Sequence, residues 1–303
     1  MIGRTLLWAS EKPSIKRFVT QGSLARGLVE RFVAGDELED AILVIGELNG
    51  RGIGGILDLL GEGVTDPSGA QAAADDYLAG IKRIDETGID TTVAVKLTQL
   101  GLAFDRGACI DHLRRLAAEA RAVGGTVEID MEQSEYVADT LEIYRVLHSD
   151  FQDLRIAMQA YLRRTPADLE AMRDLRPKVR LVKGAYAESS EVAFQKRKEV
   201  DAQYVYLTEW LFDNGTHPAI ATHDHRLLER AQQAAARRGL DRSAFEIQML
   251  YGVRRELQEQ LASVGHRVRI YVPYGSAWYP YLMRRMAERP ANIRFFVRAL
   301  LRG

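Results

Sequence analysis

The residues most suggestive of chemistry lie near the end of the chain, in the segment Tyr-Leu-Met-Arg-Arg-Met-Ala-Glu at 281–288. In a helix, at about 100° per residue, four polar side chains of this segment share one face and apolar side chains occupy the other. The four are Tyr281, Arg284, Arg285 and Glu288. Paired guanidinium groups match the geometry of a carboxylate, so this face could clamp a small anion. A solvated face with an Arg284–Glu288 ion pair is the alternative.

Polar residues also interrupt apolar runs earlier in the chain. Lys96, in Ala-Val-Lys-Leu, would lose free energy on burial unless it met an anion, which favours a functional role. Strand alternation puts Asp130 on the same side as Glu128, where it could balance Lys96 or an arginine. Gln159 needs partners for its amide donor and acceptor, and either a heteroaromatic ring or a core hydrogen bond would supply them.

Cations concentrate in the segment Arg-Leu-Val-Lys-Gly-Ala-Tyr at 180–186. Arg180 and Lys183 close to a glycine suit a bound polyanion. A helix predicted to begin near Ser189 and Ser190 would add free N–H groups and a dipole that favours phosphate. Ordinary surface cations are the alternative, although the intervening residues are apolar.

Two histidines follow in Ala-Thr-His-Asp-His. The spacing of His223 and His225 occurs in metal sites, but no further histidine or cysteine has a natural place beside them, so no metal is predicted. Thr222 and His223 are instead expected to contact a ligand. Several phenols near the same predicted rim suggest a small apolar box around a substrate. They are Tyr186, Tyr251, Tyr271, Tyr274 and Tyr281.

The hydrophobic pattern predicts the elements that would bring these residues together. Residues 1–50 indicate helices, and after them short apolar runs alternate with amphipathic helices. The runs cover 54–60, 91–97, 126–131, 154–160, 179–183, 218–222, 245–250 and 268–272. Between them, helices are predicted at 67–87, 108–122, 134–147, 166–175, 188–214, 225–238 and 253–263. The helix with the paired arginines comes next, and a closing helix is predicted at 291–301.

Strands that are each followed by a helix predict an α/β chain folded as a (β/α)8 TIM-like barrel. The predicted organisation is an N-terminal helical extension at 1–52 and a barrel at 53–303, with the final helix over the barrel mouth. Chemistry in such barrels collects at the C-terminal ends of the strands, where the residues named above would meet. An open doubly wound sheet is the alternative, but no G-x-G-x-x-G follows a strand.

Composition restricts the partners and the compartment. The chain has 41 basic and 42 acidic residues and a net charge of -1, which argues against a nucleic-acid binder. A single cysteine, Cys109, allows no internal disulfide and fits a reducing cytosol. No apolar run approaches the ~18 residues of a membrane span. A cytoplasmic protein is expected, and peripheral contact with the inner face of the membrane stays open.

Together the segments resemble the proline dehydrogenase family, in its small monofunctional bacterial form. The matching segments occur in family order and are 95–97, 129–132, 159–161, 180–186, 221–224, 248–252 and 281–288. The cationic segment at 180–186, combined with the Tyr-x-x-Arg-Arg-x-x-Glu pattern at 281–288, is a highly specific signal for this family. One departure is Asp224, where larger bifunctional members often carry asparagine. The DNA-binding and aldehyde-dehydrogenase regions of those members are not expected in 303 residues.

The resemblance implies a distorted barrel that binds FAD and oxidises L-proline to Δ1-pyrroline-5-carboxylate, the first step of proline catabolism to glutamate. Electrons would pass to a membrane quinone.

The resemblance also implies a role for each residue of this chain that matches a functional position of the family. Asp130 and Tyr186 match positions regarded as catalytic or site-organising. The substrate positions are Lys96, Arg284 and Arg285 for the carboxylate, Tyr271, Leu250 and Tyr281 for the ring, and Glu288 to hold an arginine. The cofactor positions are Arg180 near flavin N5, Gln159 near the pyrimidine edge, Lys183, Thr222 and His223 towards the phosphates and adenosine, and Met131, Ala185 and Gln248 around them, with Ser189 and Ser190 as weaker candidates.

Two other functions fit the same fold. A Schiff-base lyase or aldolase would use Lys96 or Lys183 as its nucleophile, but would leave the paired arginines without a purpose. A non-catalytic sensor would bind an anionic ligand without reducing a flavin.

Overall fold

The computed structural model describes residues 29–61 and 64–288, without the side chains of residues 284 and 286–288. Parallel strands form a closed barrel in chain order, β1 to β8. They are β1 Gly54–Leu59, β2 Thr91–Val95, β3 Val127–Ile129, β4 Arg155–Gln159, β5 Lys178–Val182, β6 Ala219–Ala221, β7 Glu246–Leu250 and β8 Arg267–Tyr274. The barrel closes where β1 pairs with β8, with Ile56 opposite Tyr271. The predicted (β/α)8 barrel is therefore confirmed.

Helices surround the barrel, one after each strand. Helix α1 precedes β1, and α9 follows β8. Their bounds are α1 Leu38–Asn49, α2 Pro67–Thr87, α3 Arg106–Ala122, α4 Val137–His148, α5 Thr165–Ala171, α6 Arg197–Asn214, α7 His225–Arg237, α8 Arg255–Ser263 and α9 Trp278–Glu288. Local sequence explains the ends of α2. Asp66 caps its start by accepting from the Gly69 N–H at 3.0 Å, Pro67 occupies the first turn, and Gly88 ends it with φ 63°.

The apolar core lies between the barrel wall and the helices. Among its fully buried side chains are Tyr77 of α2, Leu113 of α3 and Tyr204 of α6. Helix α1 belongs to the same core through Ile45, whose side chain lies 2.7 Å from where a Cβ on Gly55 would stand. This approach requires glycine in β1, so the described part of the predicted extension packs directly on the barrel.

A smaller apolar cluster fixes α9 beside the barrel mouth. Leu282 and Met283 of α9 pack there with Phe32, Val33 and Leu60. The two described side chains of the predicted apolar side, Leu282 and Met283, are thus buried, and Tyr281 of the predicted polar face is buried with them. Among the described residues, no helix combines the length and apolar character needed to cross a bilayer.

One predicted boundary is wrong by several residues. The helix expected at 188–214 begins only at Arg197. Residues 192–194 instead bond to the segment after β4, where Phe194 N donates to Tyr161 O at 2.8 Å and Arg163 N donates to Val192 O at 3.0 Å. The closing helix expected at 291–301 and most of the extension expected at 1–52 lie outside the described residues.

Candidate active site

A cavity of about 1020 Å³ opens at the C-terminal ends of the strands. Its size is at the upper end of the roughly 300–1,000 Å³ usual for small-molecule and cofactor sites. The predicted substrate-site and catalytic residues that line it are Lys96, Asp130, Tyr186, Leu250, Tyr271, Tyr281 and Arg285. The predicted cofactor residues that line it are Met131, Gln159, Arg180, Lys183, Ala185, Thr222, His223 and Gln248. The side chains of Arg284 and Glu288 lie outside the described residues.

Asp130 is the shared acceptor at the floor of the cavity. Its carboxylate bonds to the Arg180 guanidinium, lies 3.3 Å from Lys96 Nζ, and accepts the Tyr271 hydroxyl at 2.5 Å. Burial acts to raise the pKa of Asp130, but Arg180 and Lys96 outweigh it and lower that pKa. The Arg180 guanidinium also lies over the Tyr271 ring, 5.2 Å from its centre. These contacts fix one carboxylate, two cations and one phenol relative to each other.

Asp58 completes this group and was missed by sequence reasoning. It lies in β1, is 1% exposed, and accepts from Lys96 Nζ at 2.6 Å. Burial raises the pKa of Asp58, and the nearby charge of Asp130 adds to that effect. For Lys96, burial acts to lower the pKa, but Asp58, Tyr271 and Asp130 raise it well above its ordinary value. An aspartate inside the apolar run Ile-Leu-Asp-Leu-Leu was the available signal.

The ion pairs continue down the barrel with alternating sign. Arg180 lies 3.7 Å from Glu128, and Arg155 lies 3.3 Å from Glu128 and 2.7 Å from Glu246. Glu246 lies 3.2 Å from Arg269. We call this connected set the charge ladder. From the mouth inward it consists of Asp58, Lys96, Asp130, Arg180, Glu128, Arg155, Glu246 and Arg269. Its four buried carboxylates match its four cations, which offsets the cost of burying them. The exposed Asp90 carboxylate pairs with Arg269 beyond the end of the ladder, at 2.9 Å.

Two glutamines present acceptors to the cavity. Gln248 Nε2 donates to both oxygens of Glu128, at 3.2 and 3.1 Å, and to Glu246 at 2.8 Å. Carboxylates only accept, so the amide nitrogen must face them and Oε1 must face away. That Oε1 is buried and has no hydrogen-bond partner among the described residues. Gln159 Nε2 donates to the Glu132 carbonyl at 2.8 Å, which leaves its oxygen as an acceptor too.

The outer part of the cavity is basic. Lys183 lies 2.5 Å from Asp201 and 3.3 Å from Asp224, and Arg197 lies 2.7 Å from Asp224. Arg226 and Arg254 also line this part. Sequence reasoning named only Lys183 of these cations, because the others come from the first turns of α6 and α7 and from the loop before α8.

The expectation for Ser189 and Ser190 loses its physical basis. It relied on a helix beginning there, but α6 begins at Arg197, so neither serine lies in a helical first turn. Neither is among the residues that line the cavity. Ser190 uses its carbonyl to accept from Arg163 Nε at 3.0 Å.

His223 is fixed by two backbone contacts. Its Nε2 accepts from the Leu250 N–H at 2.8 Å, and its carbonyl accepts from Arg254 Nη1 at 2.7 Å. A ring nitrogen that accepts carries no proton, so the imidazole is neutral with its proton on Nδ1. Within the described part of the chain, no group of three or more histidine, cysteine or acidic side chains could hold a metal ion.

Gly184 allows the backbone to run close to the cavity wall. Its φ is 113°, and a Cβ would lie 2.1 Å from Tyr161 Cδ1. Only glycine fits this conformation and this approach. The chain therefore turns directly after Lys183 and keeps Ala185 and Tyr186 at the mouth.

Comparison with known proteins identifies the family. Residues 41–298 match the sequence model described as proline dehydrogenase. Proline dehydrogenase 1 of Bacillus subtilis (strain 168) is 37% identical over 302 residues, covering 100% of both chains. The proline dehydrogenase of Deinococcus radiodurans is 38% identical over 305 residues, covering 99% of this chain and 98% of that one. The chain belongs to the proline dehydrogenase family. The expected monofunctional bacterial type is confirmed by relatives of the same length.

A solved structure of a longer protein has a fold similar to that of this chain. Proline utilization A from Bdellovibrio bacteriovorus, inactivated by N-propargylglycine, superposes with a TM-score of 0.82 at 25% identity. The match covers 87% of this chain and 33% of the other, so this chain spans about a third of that longer protein. The likeness lies in the barrel with its surrounding helices.

Proposed function

We propose that this chain oxidises L-proline to Δ1-pyrroline-5-carboxylate with a bound FAD, as the first step of proline catabolism. Family membership makes it a flavin-dependent oxidoreductase of proline, and the identity of the flavin as FAD belongs to the proposal. The observation that carries the proposal is the floor of the cavity, where Asp130 joins Lys96, Arg180 and Tyr271 beneath Arg285 of α9.

The residues present fit a flavin dinucleotide. The buried Oε1 of Gln248 has no hydrogen-bond partner among the described residues and could accept from a donor on the ligand. The side-chain oxygen of Gln159 is a second acceptor that lines the cavity. Arg180 lies at the inner end and Lys183 and Arg197 at the outer end, as a redox ring followed by phosphates requires. When bound, the flavin supplies the acceptor for the hydride. Arg180 would stabilise the negative charge that develops on reduction.

The substrate would bind between α9 and the floor. Arg285 is proposed to hold the proline carboxylate, together with Arg284 and Lys96, and Arg285 lies 5.3 Å from the centre of the Tyr281 ring. Leu250, Tyr271 and Tyr281 would pack the ring. This clamp orients the substrate for transfer and makes the step effectively unimolecular. The cations of the clamp would lower the pKa of the bound amine, which must be neutral to lose a hydride.

Asp130 is better suited to organising the site than to accepting a proton. Arg180 and Lys96 keep it ionised at a pKa below its ordinary value, so it is a weak base. Its carboxylate would hold Tyr271 and both cations in position for the ring and the flavin. Tyr186 lines the same cavity from the loop after β5, and a site-organising role is proposed for it too.

The Schiff-base alternative is disfavoured at Lys96, one of its two candidate nucleophiles. A nucleophilic lysine needs a lowered pKa, but Asp58, Tyr271 and Asp130 overcome burial and raise the pKa of Lys96.

The decisive experiment is an absorbance spectrum of the purified protein before and after anaerobic L-proline. We expect a flavin spectrum whose visible band bleaches, and heat-released cofactor that co-elutes with FAD. A bound flavin that keeps its visible band with saturating proline would refute the proposed reaction.

A pair of arginine variants tests the clamp. Arg285→Met should raise KM for proline at least about ten-fold, equivalent to about 1.4 kcal/mol. Arg255→Met is the matched control, because Arg255 also lies over a tyrosine ring, at 5.2 Å, but does not line the cavity. Equal effects of the two substitutions would exclude Arg285 from the clamp.

We further propose a quinone as electron acceptor, reached by peripheral contact of a cytoplasmic protein with the inner face of the membrane. The expectation for the family supports this proposal. Steady-state assays with a soluble quinone, with and without anionic vesicles, test it. Turnover with proline and dye but none with any quinone would contradict it.

A further inference from the structure

We propose that Glu128 is a positioning residue of the reaction, which fixes the Gln248 amide and sets the charge that Arg180 presents to the flavin. This inference rests on the proposed function. Glu128 is fully buried in β3 and does not line the cavity, so it cannot touch a ligand itself. It acts through the two cavity-lining side chains that it contacts.

The first line of evidence is the orientation of Gln248. Both Glu128 oxygens accept from Gln248 Nε2, at 3.2 and 3.1 Å. An amide can rotate so that its nitrogen and oxygen exchange places, but only one arrangement puts donors towards two carboxylates. Glu128 therefore turns the buried Gln248 Oε1 away from the ladder as an acceptor. A ligand at this end of the cavity must offer a donor, such as a ring N–H.

The second line of evidence is the division of Arg180 between two carboxylates. Arg180 bonds to Asp130 on the cavity floor and lies 3.7 Å from Glu128 below it. Each carboxylate compensates part of the cationic field. If Glu128 were neutral, Arg180 would face Asp130 alone, and more of its positive field would reach the cavity.

Other contacts hold Glu128 in place for this task. Thr92 Oγ1 donates to it at 3.0 Å and Arg155 Nη1 at 3.3 Å. The carboxylate thus has donors from the two adjacent strands, β2 and β4, and from β7, which is not adjacent to β3 in the barrel. Such support is what a residue needs in order to orient groups that contact the ligand.

The consequence can be measured as a redox potential. Reduction of the flavin adds negative charge, which a stronger field from Arg180 stabilises. Glu128→Gln should therefore favour the reduced flavin by about ten-fold in the reduction equilibrium, an upward shift of about 30 mV for a two-electron couple. A residue that only stabilised the fold would change flavin content or unfolding temperature without moving the potential of the flavin that remains bound.

The experiment compares midpoint potentials of FAD-loaded wild type, Glu128→Gln and Asp90→Asn by anaerobic spectroelectrochemistry. Asp90→Asn is the matched control, because Asp90 pairs with Arg269 at 2.9 Å, at the end of the ladder remote from the mouth, and does not line the cavity. It makes the same change from carboxylate to amide and should leave the potential within about two-fold of the wild-type equilibrium, or about 10 mV.

A second variant tests the same inference if Glu128→Gln does not fold. Glu128→Gln with Arg155→Met removes one anion and one cation, so the ladder stays balanced and Glu246 keeps Arg269. It should show the same upward shift. An unchanged or lower potential in whichever of these variants folds would overturn the inference. If wild type itself binds no flavin or is not reduced by proline, the proposed function fails instead, which separates the two results.

Discussion

Asp130→Asn tests how the floor of the cavity is stabilised, because asparagine keeps the shape of aspartate and removes its charge. Removing one partner of a buried ion pair costs about 3–5 kcal/mol when the other charge is left alone. Here neither cation is left alone, since Arg180 keeps Glu128 at 3.7 Å and Lys96 keeps Asp58 at 2.6 Å. We therefore expect a smaller loss of unfolding free energy, about 2–3 kcal/mol.

The measurement is urea denaturation of the flavin-loaded protein at pH 7, with Asp58→Asn as the matched control. Asp58 also pairs with Lys96, but burial has raised its pKa, so its ionised form contributes less. Asp58→Asn should cost about 1 kcal/mol. A loss from Asp58→Asn that equals or exceeds the loss from Asp130→Asn would refute Asp130 as the principal counter-ion of the floor.

Wild type and Asp130→Asn can also be compared as a function of pH, because the pKa of Asp130 fixes the direction in which their stability difference should change. Although burial acts to raise it, Arg180 and Lys96 hold the pKa of Asp130 below its ordinary value of 3.8. The stability that ionised Asp130 contributes is fully present above pH 3.8 and is lost as pH falls through the lowered pKa. The stability difference between wild type and Asp130→Asn should therefore be constant from pH 7 to 5 and shrink below pH 3.8. A difference that grows on acidification would contradict this sign.

Three further predictions follow from single contacts. Tyr271→Phe removes the hydroxyl bonded to the floor carboxylate at 2.5 Å, so it should cost about 1.5–3 kcal/mol in urea denaturation and raise KM for proline. Gly184→Ala forces a Cβ onto the Tyr161 ring and should sharply lower flavin content per protein, whereas Gly88→Ala, at φ 63° in open space, should leave flavin content unchanged. Glu246→Gln should destabilise the protein at pH 7, and the deficit should narrow as pH falls from 4.5 towards 2, since two arginines lower the pKa of buried Glu246 to about 2.

The barrel was predictable because its signals are local and repeat along the chain. Each strand is an apolar run such as Thr91–Val95, buried on both faces, and each helix shows an apolar stripe. The start of α6 was not predictable in the same way. Residues 192–194 instead bond to the segment after β4, and such a tertiary contact leaves no periodic trace in the sequence.

Individual site residues were easier to predict than their partners. Lys96 and Arg180 stand out because cations in apolar strands are costly, which marks them without showing what neutralises them. Asp58 carries the same signal in β1, but its pairing with Lys96 depends on the register between β1 and β2. The continuation of the ladder to Arg269 depends on barrel closure, which joins the last strand to the first.

The charge ladder constrains how the substrate carboxylate can be held. Lys96 has three N–H groups, and two carboxylates, Asp58 and Asp130, lie within 2.6 and 3.3 Å of its nitrogen. At most one donor remains for proline, and the net charge around Lys96 is already offset by its neighbours. Attraction for a substrate anion must therefore come mainly from outside the balanced ladder. Within the proposed clamp, Arg285 of α9 lines the cavity and is not a member of the ladder. Because α9 is attached to the barrel through its own apolar cluster with Phe32 and Leu60, substrate affinity depends on how that helix is seated over the mouth.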